Sequence, residues 1–423
     1  MSWRSLEKLL FTPWPARRAT LVTLITGVVL LAVLDRSAAM NSATWGVDEG
    51  QRIAESYFLR LVEAGDFDHP DWFRVATDSS HPQMSKYYFG LAVQAHGVQL
   101  PRDLALPRYY ESGGLDATGW KPPPQLMPVY GPMLRPARRA VLLCNVISWM
   151  AVTWLLLRWY GAGAALLAAA IFTRHYLPHT FYASARSDAL QACSFTLTLL
   201  PLAVLWRGVR GRGAVFAAVL IGVFSAVSFQ TRLNGLLAFG GAAVVLIVLA
   251  IRQRDRRPIV LLALATVTCA GFALLSNPYY WARPQAAPGV AAAYLVDEPL
   301  PLRAVTRFRM QVADLGTLLQ DHAYAALPSP LDRGRFVARV LFSGLAGWLV
   351  LGGAIAALVL CLRRSTRDTL LLPCVWAVSV IGVFTLWLPL GWEPYVMMIF
   401  PTAVLLAASG WSALAVAALP RRG

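Results

Sequence analysis

Long apolar runs recur along this chain between short segments rich in arginine or proline. The runs are about 16 to 23 residues long, which is the length that a helix needs to cross a hydrocarbon core of roughly 30 Å. Each run must be helical, because backbone groups find no hydrogen-bond partner in lipid. The pattern predicts about ten spans, over residues 19–35, 139–157, 160–180, 189–206, 214–230, 235–251, 258–275, 340–362, 369–388 and 395–417.

Little more than residues 158–161 separates the second predicted span from the third. A hairpin in the plane of the bilayer is therefore an alternative for residues 160–180. The composition agrees with a membrane protein, since 57% of the residues are hydrophobic and 14% are charged, which excludes an ordinary soluble protein. The five cysteines fall in predicted spans without metal-ligand spacing, so we assign them to packing rather than to disulfides. The expected fold class is an all-α polytopic membrane protein.

Arginine and lysine residues concentrate in the short connections on one side of the predicted spans. They are Arg4, Lys8, Arg17, Arg18, Arg158, Arg207, Arg210, Arg212, Arg252, Arg254, Arg256, Arg257, Arg363, Arg364, Arg367, Arg421 and Arg422. The positive-inside rule puts that side, and with it both termini, in the cytoplasm of a plasma (inner) membrane. The net charge of +16 is then mostly a topology signal, and no nucleic-acid partner is expected. Residues 37–39 also make a passable signal-peptide cleavage site, so a cleaved first span is the alternative to a retained anchor.

Two segments, residues 36–138 and 276–339, are too long and too polar to be simple connections, and the charge rule places both outside. Residues 48–64 put Ile53, Tyr57 and Leu61 on one face, which predicts an amphipathic helix lying on the membrane surface. A second interfacial helix is predicted over residues 84–96. The aromatic residues 279–281 are expected to belong to the interface belt rather than to a sugar platform.

Several segments together resemble the GT-C membrane glycosyltransferases. They are residues 45–50 (WGVDEG), 81–90 (HPQMSKYYFG), 139–172, 179–190 (HTFYASARSDAL), 231–235 (TRLNG), 276–279 (SNPY) and 401–411 (PTAVLLAASGW). The nearest resemblance is to protein O-mannosyltransferases and to bacterial transferases that move sugars from polyprenyl phosphate to lipid A. The chain departs from the family pattern at Gln83, where a second proline is usual, and at Arg232, where a lysine is usual. These departures leave the donor sugar and the acceptor open.

The resemblance implies a GT-C fold, with a cytoplasmic N-terminus over residues 1–18 and a catalytic membrane module over 19–275 that includes the loop 36–138. A second extracytoplasmic loop over 276–339 and C-terminal transmembrane helices over 340–423 complete the expected organisation. The implied activity is inverting transfer of a sugar from a polyprenyl-phosphate donor to an extracytoplasmic acceptor, which is a protein, a lipid or a glycan. Membrane lipid is the remaining expected partner.

The donor is a phosphate diester, and its phosphate leaves as a monoester that needs no general acid. One general base is therefore enough for such a transfer. The resemblance assigns this role to Asp48, whose alternative role is to cap the helix that begins near Glu49. Glu49 is expected to orient the acceptor or to share a divalent cation with Asp48. Its alternative is a solvated acid in the first helical turn.

Charge develops on the leaving phosphate, so cations are expected beside it. Lys86, Arg232 and Arg283 are the candidates, and snorkelling to lipid headgroups is the alternative for each. His81, Arg186 and Asp188 are expected to support the site, with an ion pair to Arg186 or Arg232 as the alternative for Asp188. No histidine has ligand spacing, so any metal is unknown.

Two other kinds of protein remain open at this point. A transporter or flippase of lipid-linked saccharides would carry polar residues in mid-span and paired broken helices. A non-catalytic membrane scaffold would have no use for an acidic pair directly after the first span. Here the acids cluster outside the spans, which favours the transferase.

Overall fold

The computed structural model describes residues 9–42, 44–45, 49–73, 83–105, 122–181, 184–283, 298–321, 326–388 and 391–418. Helices joined by short turns make up most of these residues. Those of six or more residues are α1 (Ala16–Asp35), α2 (Glu49–Ala54), α3 (Tyr57–Ala64), α4 (Met84–Ala95), α5 (Leu134–Trp159), α6 (Ala162–Arg174), α7 (Tyr176–Phe181), α8 (Ser187–Trp206), α9 (Arg212–Phe229), α10 (Leu236–Gln253), α11 (Arg257–Leu275), α12 (Leu300–Asp321), α13 (Pro330–Leu341), α14 (Gly344–Cys361), α15 (Arg364–Trp387) and α16 (Phe400–Ala418).

Among the described residues, 9 helices are long and apolar enough to cross a membrane: α1, α5, α8 to α11 and α14 to α16. They confirm nine of the predicted spans. The predicted span over 160–180 is instead divided into α6 and α7. Helix α6 has 13 residues and is therefore about 20 Å long at roughly 1.5 Å per residue, too short for the hydrocarbon core.

The break between α6 and α7 lies at His175, which has extended backbone. The His175 ring Nδ1 accepts a hydrogen bond from the backbone N–H of Leu177 at 3.2 Å, and its Nε2 lies 3.1 Å from the carbonyl oxygen of Leu341. The ring also packs against Phe400, with 4.6 Å between centroids. These contacts fix a bend where the sequence pattern suggested either a straight span or a hairpin.

Helices α14 and α16 cross where both carry glycine. A Cβ atom on Gly410 would overlap the carbonyl oxygen of Gly353, so only glycine permits this backbone approach. Trp411 Nε1 donates to the Leu349 carbonyl at 2.8 Å beside the crossing. All five cysteines are free thiols.

Contacts at one end of the bundle join the segments that were predicted to be cytoplasmic. Arg207, which follows α8, donates to the carbonyl oxygen of Arg158 in the last turn of α5 at 3.0 Å. Arg252 in the last turn of α10 pairs with Asp368 near the start of α15 at 2.7 Å. The arginine-rich connections therefore share one end, which we call the arginine end.

The two long segments meet at the opposite end and share one aromatic core. Phe58 and Trp72 of the first segment lie in this core with Tyr279 and Tyr280 of the second. The rings of Phe73 and Tyr279 stack with 6.3 Å between centroids. Because Tyr279 and Tyr280 are buried inside the protein, their assignment to an interface belt is wrong.

Helices α2, α3 and α4 confirm that the predicted stretches 48–64 and 84–96 are helical in their described parts. Ile53, Tyr57 and Leu61, the predicted apolar face, are all buried. The first stretch is interrupted between Ala54 and Tyr57, so it is two short helices rather than one. Whether these helices lie on a membrane surface stays a prediction.

Helix α12 lies in the segment 276–339 that the sequence pattern left without helices. Over residues 300–311, burial in this helix is inverted relative to that of a soluble amphipathic helix, because Arg303 and Arg307 are buried while Leu302 and Val305 are exposed. Phe308 packs against Phe229 at the end of α9, with 6.2 Å between ring centroids. Helix α12 therefore covers the end of the bundle that holds the aromatic core.

Candidate active site

The acidic motif after the first span is represented in the structure by Glu49, the first residue of α2, which is fully buried. Arg138 binds both carboxylate oxygens of Glu49, with Nε donating to Oε1 at 2.9 Å and Nη2 donating to Oε2 at 2.8 Å. The backbone N–H of Ala185 also donates to Oε1, at 2.7 Å. Glu49 is therefore not the solvated first-turn acid that was one alternative. A charge taken out of water needs such partners.

Arg138 binds the chain before α2 as well. Its Nη1 donates to the carbonyl oxygen of Ser42 at 2.8 Å, and its Nη2 donates to that of Thr44. Sequence reasoning missed this residue because it precedes the second apolar run. One signal could have found it: Arg135, Arg138 and Arg139 stand on the side predicted to be extracytoplasmic, where arginine is rare.

Asp188 lies buried in the first turn of α8 and forms the ion pair that was its alternative role. Arg232 Nη2 is 3.2 Å from Asp188 Oδ2, and Arg232 Nε donates to Ser187 Oγ at 2.9 Å. The guanidinium also lies over the ring of Tyr395, 5.1 Å from its centroid. Arg186, directly before α8, is half-buried and has extended backbone.

The same cluster continues one turn along α8. Gln191 Nε2 donates to Asn234 Oδ1 at 2.5 Å, which joins α8 to the segment 231–235 a second time. Within the described residues, Asp188 Oδ1 and Gln191 Oε1 are buried without a hydrogen-bond partner. Buried acceptors of this kind call for a ligand, a water or a proton in the working protein.

Lys86 in α4 is buried, with 1% of its surface exposed, and is therefore not snorkelling to the surface. Its Nζ lies 4.5 Å from the centroid of the Phe58 ring, in cation–π geometry. The start of α4 is tied to the end of α9, since the backbone N–H of Met84 donates to the carbonyl oxygen of Gln230 at 2.9 Å. Gln230 Oε1 in turn accepts from Asn277 Nδ2 at 3.1 Å, which adds the segment 276–279.

Arg283 is exposed at the edge of the second long segment. Its backbone N–H donates to Asp68 Oδ1 at 3.1 Å and so joins the two long segments. Two other arginines of this segment are buried and were not predicted. Arg307 Nη1 donates to the carbonyl oxygens of Tyr279 and Ala282 at 2.7 and 2.8 Å.

Arg303 has a similar role, about one turn earlier in α12. It donates to the carbonyl oxygens of Trp281 and Glu298, at 2.7 Å in each case. Beside it, the Tyr280 hydroxyl donates to Gln311 Oε1 at 2.6 Å. Burial raises the pKa of Tyr280, so its hydroxyl keeps the proton that it donates. The second segment therefore uses its cations to hold its own backbone.

Asp48 and His81 lie outside the described residues. Within the portion of the chain that the structure describes, no group of three or more His, Cys, Asp or Glu residues could hold a metal ion. Both oxygens of Glu49 already accept hydrogen bonds from Arg138. The described residues therefore do not assemble a metal site, and a divalent cation stays a prediction.

No protein-family profile matches the chain, and no curated protein matches it. Among solved structures, the chain is similar to the crystal structure of ArnT from Cupriavidus metallidurans bound to undecaprenyl phosphate. The TM-score is 0.52 at 16% sequence identity, over 95% of this chain and 60% of that chain. The chain thus spans less than two thirds of the length of that neighbour.

At this identity the likeness establishes the fold. The described residues are mostly helical, and the chain is a multi-pass membrane protein with the fold of that ArnT structure, as the predicted fold class requires. The narrower resemblance to mannosyltransferases stays a prediction, as do the inner membrane and the cytoplasmic termini.

Proposed function

We propose that this protein is a glycosyltransferase that moves a sugar from a polyprenyl-phosphate donor to an acceptor on the extracytoplasmic side of the membrane. One observation carries the proposal: five of the segments on which the sequence resemblance rests, far apart in the chain, are brought together. Three of them contact one another directly, and the other two bind Gln230. Glu49 contacts Ala185 at 2.7 Å, and Asp188 pairs with Arg232 at 3.2 Å. Gln230, next to the segment 231–235, accepts from Met84 at 2.9 Å and from Asn277 at 3.1 Å.

The fold likeness supports the same proposal, because the neighbouring ArnT structure is bound to undecaprenyl phosphate. In the proposed reaction an acceptor hydroxyl oxygen attacks the anomeric carbon of the sugar. The bond from that carbon to the phosphate oxygen breaks, and polyprenyl phosphate leaves as a monoester. Attack from the face opposite the phosphate inverts the configuration at the anomeric carbon.

Asp48 takes the proton from the attacking hydroxyl in this proposal. A carboxylate suffices as the only proton acceptor because the leaving phosphate needs no proton. Asp48 immediately precedes Glu49 in the sequence, and Glu49 is anchored to Arg138 and Ala185.

Lys86 is the proposed partner of the donor phosphate. Its burial supports this role, because a cation in a surrounding of low polarity stabilises developing negative charge more than one in water does. Arg232 is held in a fixed orientation by Asp188 and Ser187, as a preorganised phosphate contact requires. Arg283, which is exposed, is the third proposed phosphate contact.

The base assignment is tested by Asp48→Asn in a transfer assay with polyprenyl-phosphate sugars, in detergent or liposomes. Asparagine has nearly the same volume but takes no proton, so turnover should fall roughly 100-fold or more, the usual worth of general base catalysis. Asp103→Asn is the matched control, because Asp103 is an exposed acid of the same long segment. Full activity in Asp48→Asn would leave Asp48 as a helix cap.

Lys86→Met separates donor binding from the proton transfer. Losing a charged hydrogen bond to the phosphate should weaken donor-lipid binding about 10- to 100-fold, whereas Asp48→Asn should leave that binding unchanged. Binding of polyprenyl phosphate is measured by its quenching of tryptophan fluorescence. Equal effects of both variants on binding would contradict the separate roles.

A further inference from the structure

Arg138 is a charged residue to which the proposed reaction assigns no role. It lies in the first turns of α5 and is buried, with 4% of its surface exposed. Its guanidinium binds both oxygens of Glu49 and the carbonyl oxygens of Ser42 and Thr44. One side chain therefore binds residues that precede Asp48 in the sequence and the residue that follows it.

Glu49 extends this arrangement to a third region of the protein. Its Oε1 accepts from the backbone N–H of Ala185, directly before Arg186 and three residues before Asp188. The connection after α1, the first turn of α5 and the turn before α8 are thus held together through one ion pair. The connection after α1 precedes Asp48 in the sequence, and the turn before α8 precedes Asp188.

We infer that Arg138 is a positioning residue, which holds the acidic motif next to the turn before α8. Glu49 then acts by accepting hydrogen bonds from Arg138 rather than by taking part in the reaction. This inference rests on the proposed function, because the motif that Arg138 holds includes the proposed base. Arginine suits the task, since its planar fork satisfies a carboxylate and two carbonyls at once, which a lysine ammonium does not.

The neighbouring residue provides a matched control within the same helix. Arg139 also forms a two-bond ion pair, with Asp35 at the end of α1, through Nε at 2.6 Å and Nη2 at 2.8 Å. That pair is partly exposed, at 33% for Arg139 and 27% for Asp35, and it joins two membrane helices without touching the acidic motif. We call the contacts of Arg138 with Ser42, Thr44 and Glu49 the clamp. The same substitution at the two positions distinguishes loss of this buried clamp from loss of an interhelical ion pair.

The first arm of the experiment measures turnover of Arg138→Lys, Arg139→Lys and Glu49→Gln. Loss of alignment should lower the turnover of Arg138→Lys roughly 10- to 100-fold at nearly unchanged donor KM, because small misplacements of reacting groups are costly. Arg139→Lys should keep wild-type turnover. Glu49→Gln keeps Oε1 as the acceptor for Arg138 Nε and for the backbone N–H of Ala185 and loses the bond from Arg138 Nη2, so it should lose less activity than Asp48→Asn.

The second arm does not depend on activity. Hydrogen–deuterium exchange of the full-length variants should rise at the amides of residues 49–54 and at Ala185 in Arg138→Lys, and not in Arg139→Lys. If wild-type protein transfers no sugar, the proposed function fails while the exchange data still decide whether the clamp exists.

Three outcomes would overturn the inference. Faster exchange with unchanged turnover would make Arg138 a structural residue alone. Unchanged exchange in Arg138→Lys would show that Arg138 does not hold residues 49–54 and Ala185 in place. Loss of activity in Glu49→Gln as large as in Asp48→Asn, at wild-type thermal stability, would make Glu49 a reacting group.

Discussion

The two ends of the molecule use ion pairs of nearly equal length in opposite surroundings. At the arginine end, Arg252 and Asp368 pair at 2.7 Å with 36% and 78% of their side-chain surfaces exposed. At the other end, Arg138 and Glu49 pair at 2.8 Å with 5% and 0% exposed. An exposed pair is worth about 0–1 kcal/mol, whereas removing one partner of a buried pair costs about 3–5 kcal/mol. Burial rather than distance therefore tells which charges the fold depends on.

The largest effect is expected for Arg307→Met, which should lower the stability of the protein. The substitution leaves the buried carbonyl oxygens of Tyr279 and Ala282 without their donor, at roughly 1–3 kcal/mol each. The apparent melting temperature in detergent should fall by several degrees. Arg309→Met, at an exposed position of the same helix, is the control and should melt like wild type. Equal melting of the two variants would show that the buried arginine is dispensable.

A smaller loss is expected from Asp188→Asn, because the pair with Arg232 is only partly buried. Removing the carboxylate charge should cost about 1–3 kcal/mol by weakening a charged hydrogen bond. Adding Arg232→Met to Asp188→Asn should cost less than the sum of the two single changes, as expected for residues in contact. Thermal melting of the four proteins measures this coupling, and additive losses would contradict it.

The smallest effect is expected at the arginine end, in Arg252→Ala. An exposed pair contributes at most about 1 kcal/mol, so melting and turnover should stay close to wild type in moderate salt. The measurement is thermal melting at low and at high salt concentration. A loss as large as that in Arg307→Met would erase the difference between the two ends.

Most of the membrane bundle was predictable, because a span has to be a long helix and appears in the sequence as a long run of apolar residues. The exception is the division into α6 and α7, which depends on contacts of His175 with Leu341, a residue far along the chain. Helix α12 was missed because Arg303 and Arg307 look like surface charges in a polar segment. Their actual partners are backbone carbonyls, which no sequence pattern marks.

The candidate site was only partly predictable. The sequence named Asp188 and offered its pair with Arg232 as an alternative, and the structure confirms that pair. It named Glu49 but not Arg138, because the partner lies 89 residues away at the edge of a span. The burial of Lys86 was equally out of reach, since it depends on how α4 packs against Phe58 of α3.

The inverted burial of α12 has a practical consequence for protein engineering. Engineering for better expression commonly replaces exposed leucines and valines by polar residues and buried polar residues by apolar ones. On this helix such a rule would favour exchanging Arg303 for leucine, which removes the donor that holds two carbonyl oxygens. Hydropathy scales therefore rank substitutions on α12 in the wrong order, and a sequence library for this protein should keep its buried arginines fixed.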